Sequence, residues 1–116
     1  MERRALIAMH DLSWRETIEE LAQDKGWQIH SVATLDDMLA RMDERNYGLY
    51  VMDPNLGTYG GRDITPAETV YERVRVQPGV KFLAISGSDR VILACKEKGI
   101  PAISKTSGLA TINSYI

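Results

Sequence analysis

The stretch that decides the fold reads LYVMDPNLG over residues 49–57. Four apolar residues end on a single carboxylate, Asp53, and the chain then turns through Pro54 and Asn55 to Gly57. A short apolar run closed by turn-forming residues is typical of a buried parallel strand. In open α/β sheets, ligands bind outside the carboxyl ends of such strands. Asp53 is therefore placed where a carboxylate either binds a hard cation or attacks phosphorus as a nucleophile.

Similar apolar runs recur on both sides of this stretch, and residues 27–33 alternate between polar and apolar side chains. We predict strands at residues 5–9, 27–33, 49–52, 81–85 and 101–104. Helices are predicted between them from start signals at Ser13 with Glu16 (a capping box), Thr34, Thr65 before Pro66, and Ser88, with a last helix near residues 107–116. Five βα units predict an α/β protein over residues 1–116. We expect a single-domain, doubly wound (βα)5 three-layer sandwich, flavodoxin-like, with a five-stranded parallel sheet in the order 2-1-3-4-5.

Composition excludes several classes of function. The formal net charge is −2 and no run of lysine and arginine exceeds a few residues, which argues against a nucleic-acid or membrane-surface binder. The apolar run after Arg3 and Arg4 is too short for a signal peptide or a membrane span. Cys95 is the single cysteine and suits a buried position in a reducing compartment. We therefore expect a soluble, cytoplasmic protein.

Polar side chains follow four of the predicted strands where each one ends. Beside Asp53 after the third strand, they are His10 and Asp11 after the first, Ser86 after the fourth, and Ser104, Lys105 and Thr106 after the fifth. A doubly wound sheet brings these ends together at one edge. A carboxylate, a lysine, a hydroxyl and a divalent cation are the groups that phosphoryl transfer to an aspartate requires. The set therefore predicts Asp53 as the nucleophile.

With these motifs in order, the chain resembles the receiver domain of two-component response regulators along nearly its whole length. Asp53 with its loop, including Gly60 and Gly61, is similar to the phospho-acceptor and the loop after it. Residues 84–87 resemble the end of the fourth strand, and residues 99–105 resemble the fifth strand and its lysine. The resemblance implies phosphorylation of Asp53 with Ser86 and Lys105 as phosphoryl ligands. It also implies Mg²⁺ held by Asp11, Asp53 and the backbone carbonyl of Asn55.

The resemblance also implies partners and an output. A histidine kinase or phosphotransfer protein would donate the phosphoryl group, and a downstream protein target would bind the face formed by the fourth helix, the far side of the fourth strand and the fifth strand. We expect a stand-alone signalling domain that is a monomer or weak dimer. We expect no nucleic-acid or membrane partner. It would not be an enzyme, beyond self-phosphorylation and autodephosphorylation as a phospho-acceptor.

Some positions depart from the family pattern. The two adjacent acids that follow the first strand in receivers correspond to Met9 and His10, and Asp11 comes one position late. Ala102 replaces an aromatic residue near the end of the fifth strand. These departures favour an alternative, a phosphorylation-independent pseudo-receiver that acts as a constitutive protein-interaction module. A flavodoxin-like nucleotide binder is less favoured, because residues 9–13 contain no glycine.

Overall fold

The computed structural model describes residues 3–56 and 63–116. Strands and helices alternate along these residues in the order β1 Arg4–Ala8, α1 Leu12–Asp24, β2 Gln28–Val32, α2 Leu35–Glu44, β3 Leu49–Met52, α3 Thr65–Val74, β4 Lys81–Ser86, α4 Asp89–Glu97, β5 Ala102–Ser104 and α5 Leu109–Tyr115. A short 3₁₀ turn, Lys105–Ser107, lies between β5 and α5. The strands form one parallel sheet in the order β2-β1-β3-β4-β5. This confirms the predicted fold class and strand order.

The central strand β3 shows why the sheet is covered on both faces. All four of its residues are buried, and successive side chains point to opposite faces. Tyr50 and Met52 join an apolar cluster with buried residues of α2, α3 and α4. Leu49 and Val51 join a second cluster with Ile18 of α1 and Ile112 of α5. Right-handed crossovers between parallel strands place helices on both sides in this way, so the continuous apolar run follows from the topology.

Two predicted helix starts were wrong. Helix α1 begins at Leu12 and its N-cap is Asp11, whose Oδ1 accepts the backbone N–H of Trp14 at 3.1 Å. Ser13 lies inside the first turn of this helix. Helix α3 begins at Thr65, and the Oδ1 atom of Asp63 accepts the Thr65 N–H at 2.9 Å. In both places an aspartate that precedes the predicted cap satisfies a backbone donor first.

The other two caps are as predicted. The side chain of Thr34 accepts the N–H of Asp37 at 3.2 Å, and that of Ser88 accepts the N–H of Val91 at 3.4 Å. The predicted bounds of β3 are confirmed. The last helix, by contrast, is shorter than predicted, because the 3₁₀ turn occupies its expected beginning. Within the described ranges, no helix combines the length and the apolar character needed to cross a bilayer.

Candidate functional site

Asp53 lies directly after β3 and is held against β1. Its backbone N–H donates to the carbonyl of Ala8 at 3.0 Å, and its carbonyl accepts the N–H of Leu56 at 3.2 Å. The carboxylate atom Oδ2 accepts the backbone N–H of His10 at 2.8 Å. The residue is only 9% exposed. The acid is therefore fixed at the carboxyl edge of the sheet, between the ends of β1 and β3, as the sequence predicted.

Burial dominates the electrostatics of this carboxylate. Desolvation raises the pKa of Asp53 above its ordinary value, and the charge of Asp11 raises it further. The hydrogen bond from His10 and the positive charges of Lys105 and His10 act in the opposite direction and only partly offset it. Further positive charge at this place would stabilise the ionised carboxylate.

Lys105 belongs to the 3₁₀ turn that follows β5. The turn is supported locally, because the Ser104 hydroxyl oxygen accepts the N–H of Thr106 at 3.1 Å. The Lys105 ammonium lies 5.4 Å from the centroid of the Trp14 ring, within the range of a cation–π contact. The ion pairs found between described residues do not join Lys105 to Asp53. Lys105 therefore acts on Asp53 through its charge at a distance, while its ammonium contacts Trp14.

Ser86 is the last residue of β4 and is 8% exposed. Its Oγ accepts the N–H of Ser88 at 3.1 Å, which fixes the side-chain oxygen near the start of α4. Accepting that bond uses one lone pair and leaves the hydroxyl hydrogen for another acceptor. In the sheet register Ser86 lies opposite Ser104, one residue before Lys105. Ser86 and Lys105 therefore lie at the carboxyl ends of neighbouring strands, with the lysine one residue further along.

The predicted metal ligands form a sparse donor set. Asp11 is exposed and caps α1, yet its charge reaches Asp53. Asn55 is half-buried in the turn after Asp53, and Met9 is fully buried in the core. In residues 3–56 and 63–116 there is no cluster of three or more His, Cys, Asp or Glu side chains that could hold a metal. Two carboxylates and a backbone carbonyl still suit Mg²⁺, which keeps several water ligands.

Gly60 and Gly61, which the sequence placed in the acceptor loop, lie outside the described residues. Trp14 was predicted only as part of the apolar face of α1, where it is indeed half-buried. Its contact with Lys105 was not predicted. The available signal was its position six residues after the end of β1, beside the edge where the other polar residues converge.

A comparison of folds found matching solved structures. A response regulator protein from Burkholderia pseudomallei has a TM-score of 0.74 at 14% identity, and the match covers 98% of this chain and 66% of that one. NtrX from Brucella abortus has a TM-score of 0.76 at 17% identity, with coverage of 98% and 25%. A CheY-like response regulator receiver domain from Methylobacillus flagellatus has a TM-score of 0.68 at 25% identity, with coverage of 97% and 93%.

These matches identify the fold. The chain has the architecture of CheY-like response regulator receiver domains, and it spans about two thirds of the Burkholderia protein and a quarter of NtrX. No protein-family model matches the sequence, and no curated protein matches it either.

Proposed function

We propose that this chain works as a receiver domain that accepts a phosphoryl group on Asp53 from a histidine kinase or phosphotransfer protein. One observation carries the proposal: a buried aspartate at the carboxyl end of β3, with Ser86 at the end of β4 and Lys105 directly after β5 of the same receiver-like sheet. The Burkholderia relative of this fold contains a phosphorylated aspartic acid and a calcium ion, which supports the same chemistry here.

The chemistry assigns a role to each side chain. A carboxylate oxygen of Asp53 attacks the phosphorus of the donor, a P–O bond forms, and the bond from phosphorus to the leaving group breaks with its electron pair on that group. The Lys105 ammonium and the free hydroxyl hydrogen of Ser86 then stabilise the phosphoryl oxygens. Self-phosphorylation from a small donor and later hydrolysis of the acyl phosphate would be the only catalysis.

Mg²⁺ would be held by Asp53, Asp11 and the backbone carbonyl of Asn55. When bound, it would neutralise negative charge on the carboxylates and on the phosphoryl group. Asp11 also caps α1, so a change of its side-chain position toward the metal would give up the bond from Trp14 N–H. Because the protein supplies few ligands and one of them has a second role, we expect weak binding of the cation.

Output would be through contact with a downstream protein. Phosphorylation changes the charge at the ends of β3, β4 and β5, next to the start of α4. Helix α4 presents Leu93, which is 58% exposed, on the surface that we assign to the target protein. With a net charge of −2, the chain suits a protein partner better than nucleic acid. We expect a cytoplasmic protein that is a monomer or a weak dimer.

The rival proposal is a pseudo-receiver that binds its partner without phosphorylation. It is favoured by the use of Asp11 as a helix cap, by the burial of Met9 where receivers carry an acid, and by the small buried Ala102 in β5. In this alternative Asp53 would only join β1 to β3 through its bond from His10.

The two proposals differ in one mass measurement. The protein would be incubated with acetyl phosphate and Mg²⁺ and followed by intact mass spectrometry. We expect the mass of one phosphoryl group on the wild type and none on Asp53→Asn. Asp63→Asn is the matched control, since Asp63 is an exposed carboxylate on the other side of the loop. No gain on the wild type would support the pseudo-receiver, and a gain that persists in Asp53→Asn would exclude Asp53 as the acceptor.

A further inference from the structure

Trp14 gives the resting protein a place for the Lys105 ammonium. The indole packs partly into the cluster of apolar residues that joins α1 and α5 to the sheet, so its position is set by the core. Trp14 is only partly buried, and the ammonium of Lys105 lies 5.4 Å from the ring centroid. Trp14 and Lys105 lie far apart in the sequence, so only the tertiary fold brings the two side chains together.

Gly87, in the turn after β4, lies beside the stem of Lys105. A Cβ atom at Gly87 would lie 3.8 Å from Cδ of Lys105, which is ordinary van der Waals contact. The lysine stem therefore runs past the turn after β4 at close range, and its ammonium ends at the Trp14 ring. These two contacts leave the Lys105 side chain less freedom than an exposed lysine has. Among the described residues, no ion pair joins it to Asp53 or Asp11.

We propose that Trp14 is a positioning residue, which holds the Lys105 ammonium in the unphosphorylated protein and releases it to the phosphoryl oxygens on Asp53. The release half of this inference rests on the proposed function, while the holding half does not. A phosphoryl group carries more negative charge than the carboxylate alone, and it reaches farther out from the strand end. The lysine then exchanges the indole face for charged oxygens. A cation–π contact at a partly exposed site shifts such an equilibrium by about two- to fivefold.

The first test needs no phosphorylation. In protein labelled with ¹³C-lysine, the ε-methylene signal of Lys105 should be shifted upfield by the ring current of Trp14, and Lys105→Met identifies the signal by its disappearance. Trp14→Leu should return the signal to the ordinary lysine position, and Trp14→Phe should leave part of the shift. Trp27→Phe is the matched control, since Trp27 directly precedes β2, at the edge of the sheet opposite to Lys105, and its ring lies against the Arg3 guanidinium. An unshifted Lys105 signal in the wild type would overturn the inference.

The second test measures release. With acetyl phosphate and Mg²⁺, Trp14→Leu should be phosphorylated about two- to fivefold faster than wild type, because its lysine has lost the competing contact. In the Lys105→Met background the same substitution should change nothing. An equal effect in both backgrounds would show a merely structural role and overturn the inference. If Trp14→Leu does not fold, Trp14→Phe replaces it with a smaller expected effect.

The two tests separate the two proposals. A wild type that shows the ring-current shift but gains no phosphoryl mass would refute the proposed function and the release half, and it would support the holding half. A wild type that is phosphorylated without a Lys105 shift would leave the proposed function standing and refute the role of Trp14.

Discussion

Replacing Asp53 by asparagine should raise the free energy of unfolding at neutral pH, although it removes the proposed acceptor. The wild-type carboxylate is 9% exposed, and burial is the largest cause of its raised pKa. Asparagine has nearly the same shape and retains a side-chain oxygen for the N–H of His10. The substitution therefore removes a desolvated charge while it keeps the contact to β1.

The expected gain is about 1–2 kcal/mol, in the range of common stabilising substitutions. Leaving water costs an ionised carboxylate several kcal/mol, and this cost disappears in the variant. In return, the bond from His10 becomes a neutral one, which loses about 1 kcal/mol. The variant also loses the attraction between Asp53 and Lys105, and the removal of the repulsion from Asp11 offsets part of this loss. Because Lys105 forms no ion pair with Asp53, the two effects together cost the variant about 1 kcal/mol.

The gain should depend on pH with a defined sign. Because the pKa of Asp53 is higher in the folded protein than its ordinary value of 3.8, the folded state binds the proton more tightly. The stability that this group contributes is present below the ordinary value and is lost as the pH rises through the folded value. Asp53→Asn should therefore exceed the wild type most at neutral pH, and the difference should vanish in acid.

Urea denaturation of both proteins at neutral and acidic pH, without Mg²⁺, measures this difference. Asp63→Asn is the control of opposite sign, because the bonds from Thr65 lower the pKa of Asp63 and its contribution is lost in acid instead. A variant Asp53→Asn that is less stable than wild type at neutral pH, or a gain that does not change with pH, would refute the reasoning.

Two further predictions concern Asp11 and Cys95. Asp11→Ala should lose about 1 kcal/mol with its helix cap, whereas Asp11→Ser should keep most of that stability. Both should weaken Mg²⁺ binding followed by tryptophan fluorescence, and an unchanged Mg²⁺ response in Asp11→Ser would exclude Asp11 as a ligand. Burial raises the pKa of the Cys95 thiol to about 11, so the folded protein should not react with a maleimide at neutral pH, while the protein in urea should react fully. Stability should fall as the pH rises from the ordinary value of 9.0 through that value, and labelling of the folded protein at the rate of a free thiol would contradict the assignment.

The sheet could be predicted because most strands are apolar runs with a clear end, while β2 alternates polar and apolar residues. Residues 49–52 have no polar residue among them and stop at Asp53 and Pro54, so the bounds of β3 followed from sequence. Parallel connection and burial on both faces follow from the alternation with helices. The position of Asp53 at the edge of the sheet needed nothing more, and the hydroxyl and lysine at the ends of β4 and β5 followed in the same way.

The helix starts were harder, because several residues within a few positions compete to cap the same helix. Ser13 and Glu16 match a capping box, but Asp11 comes first and its carboxylate binds the N–H of Trp14. Asp63 competes with Thr65 in the same way. Local sequence patterns rank such candidates poorly, because the residue that caps the helix depends on where the preceding strand or loop ends.

The failure to predict Asp11 as the cap of α1 and the failure to predict the contact between Trp14 and Lys105 have one physical cause. With Asp11 as the cap, α1 begins at Leu12. Trp14 lies in the first turn of this helix, and its backbone N–H donates to the Asp11 carboxylate. That bond helps to fix the indole at the edge of the sheet where Lys105 arrives from β5. Asp11 therefore acts on Asp53 in two ways. Its charge raises the pKa of the Asp53 carboxyl directly, and its cap supports the ring that holds the neutralising lysine in the resting protein.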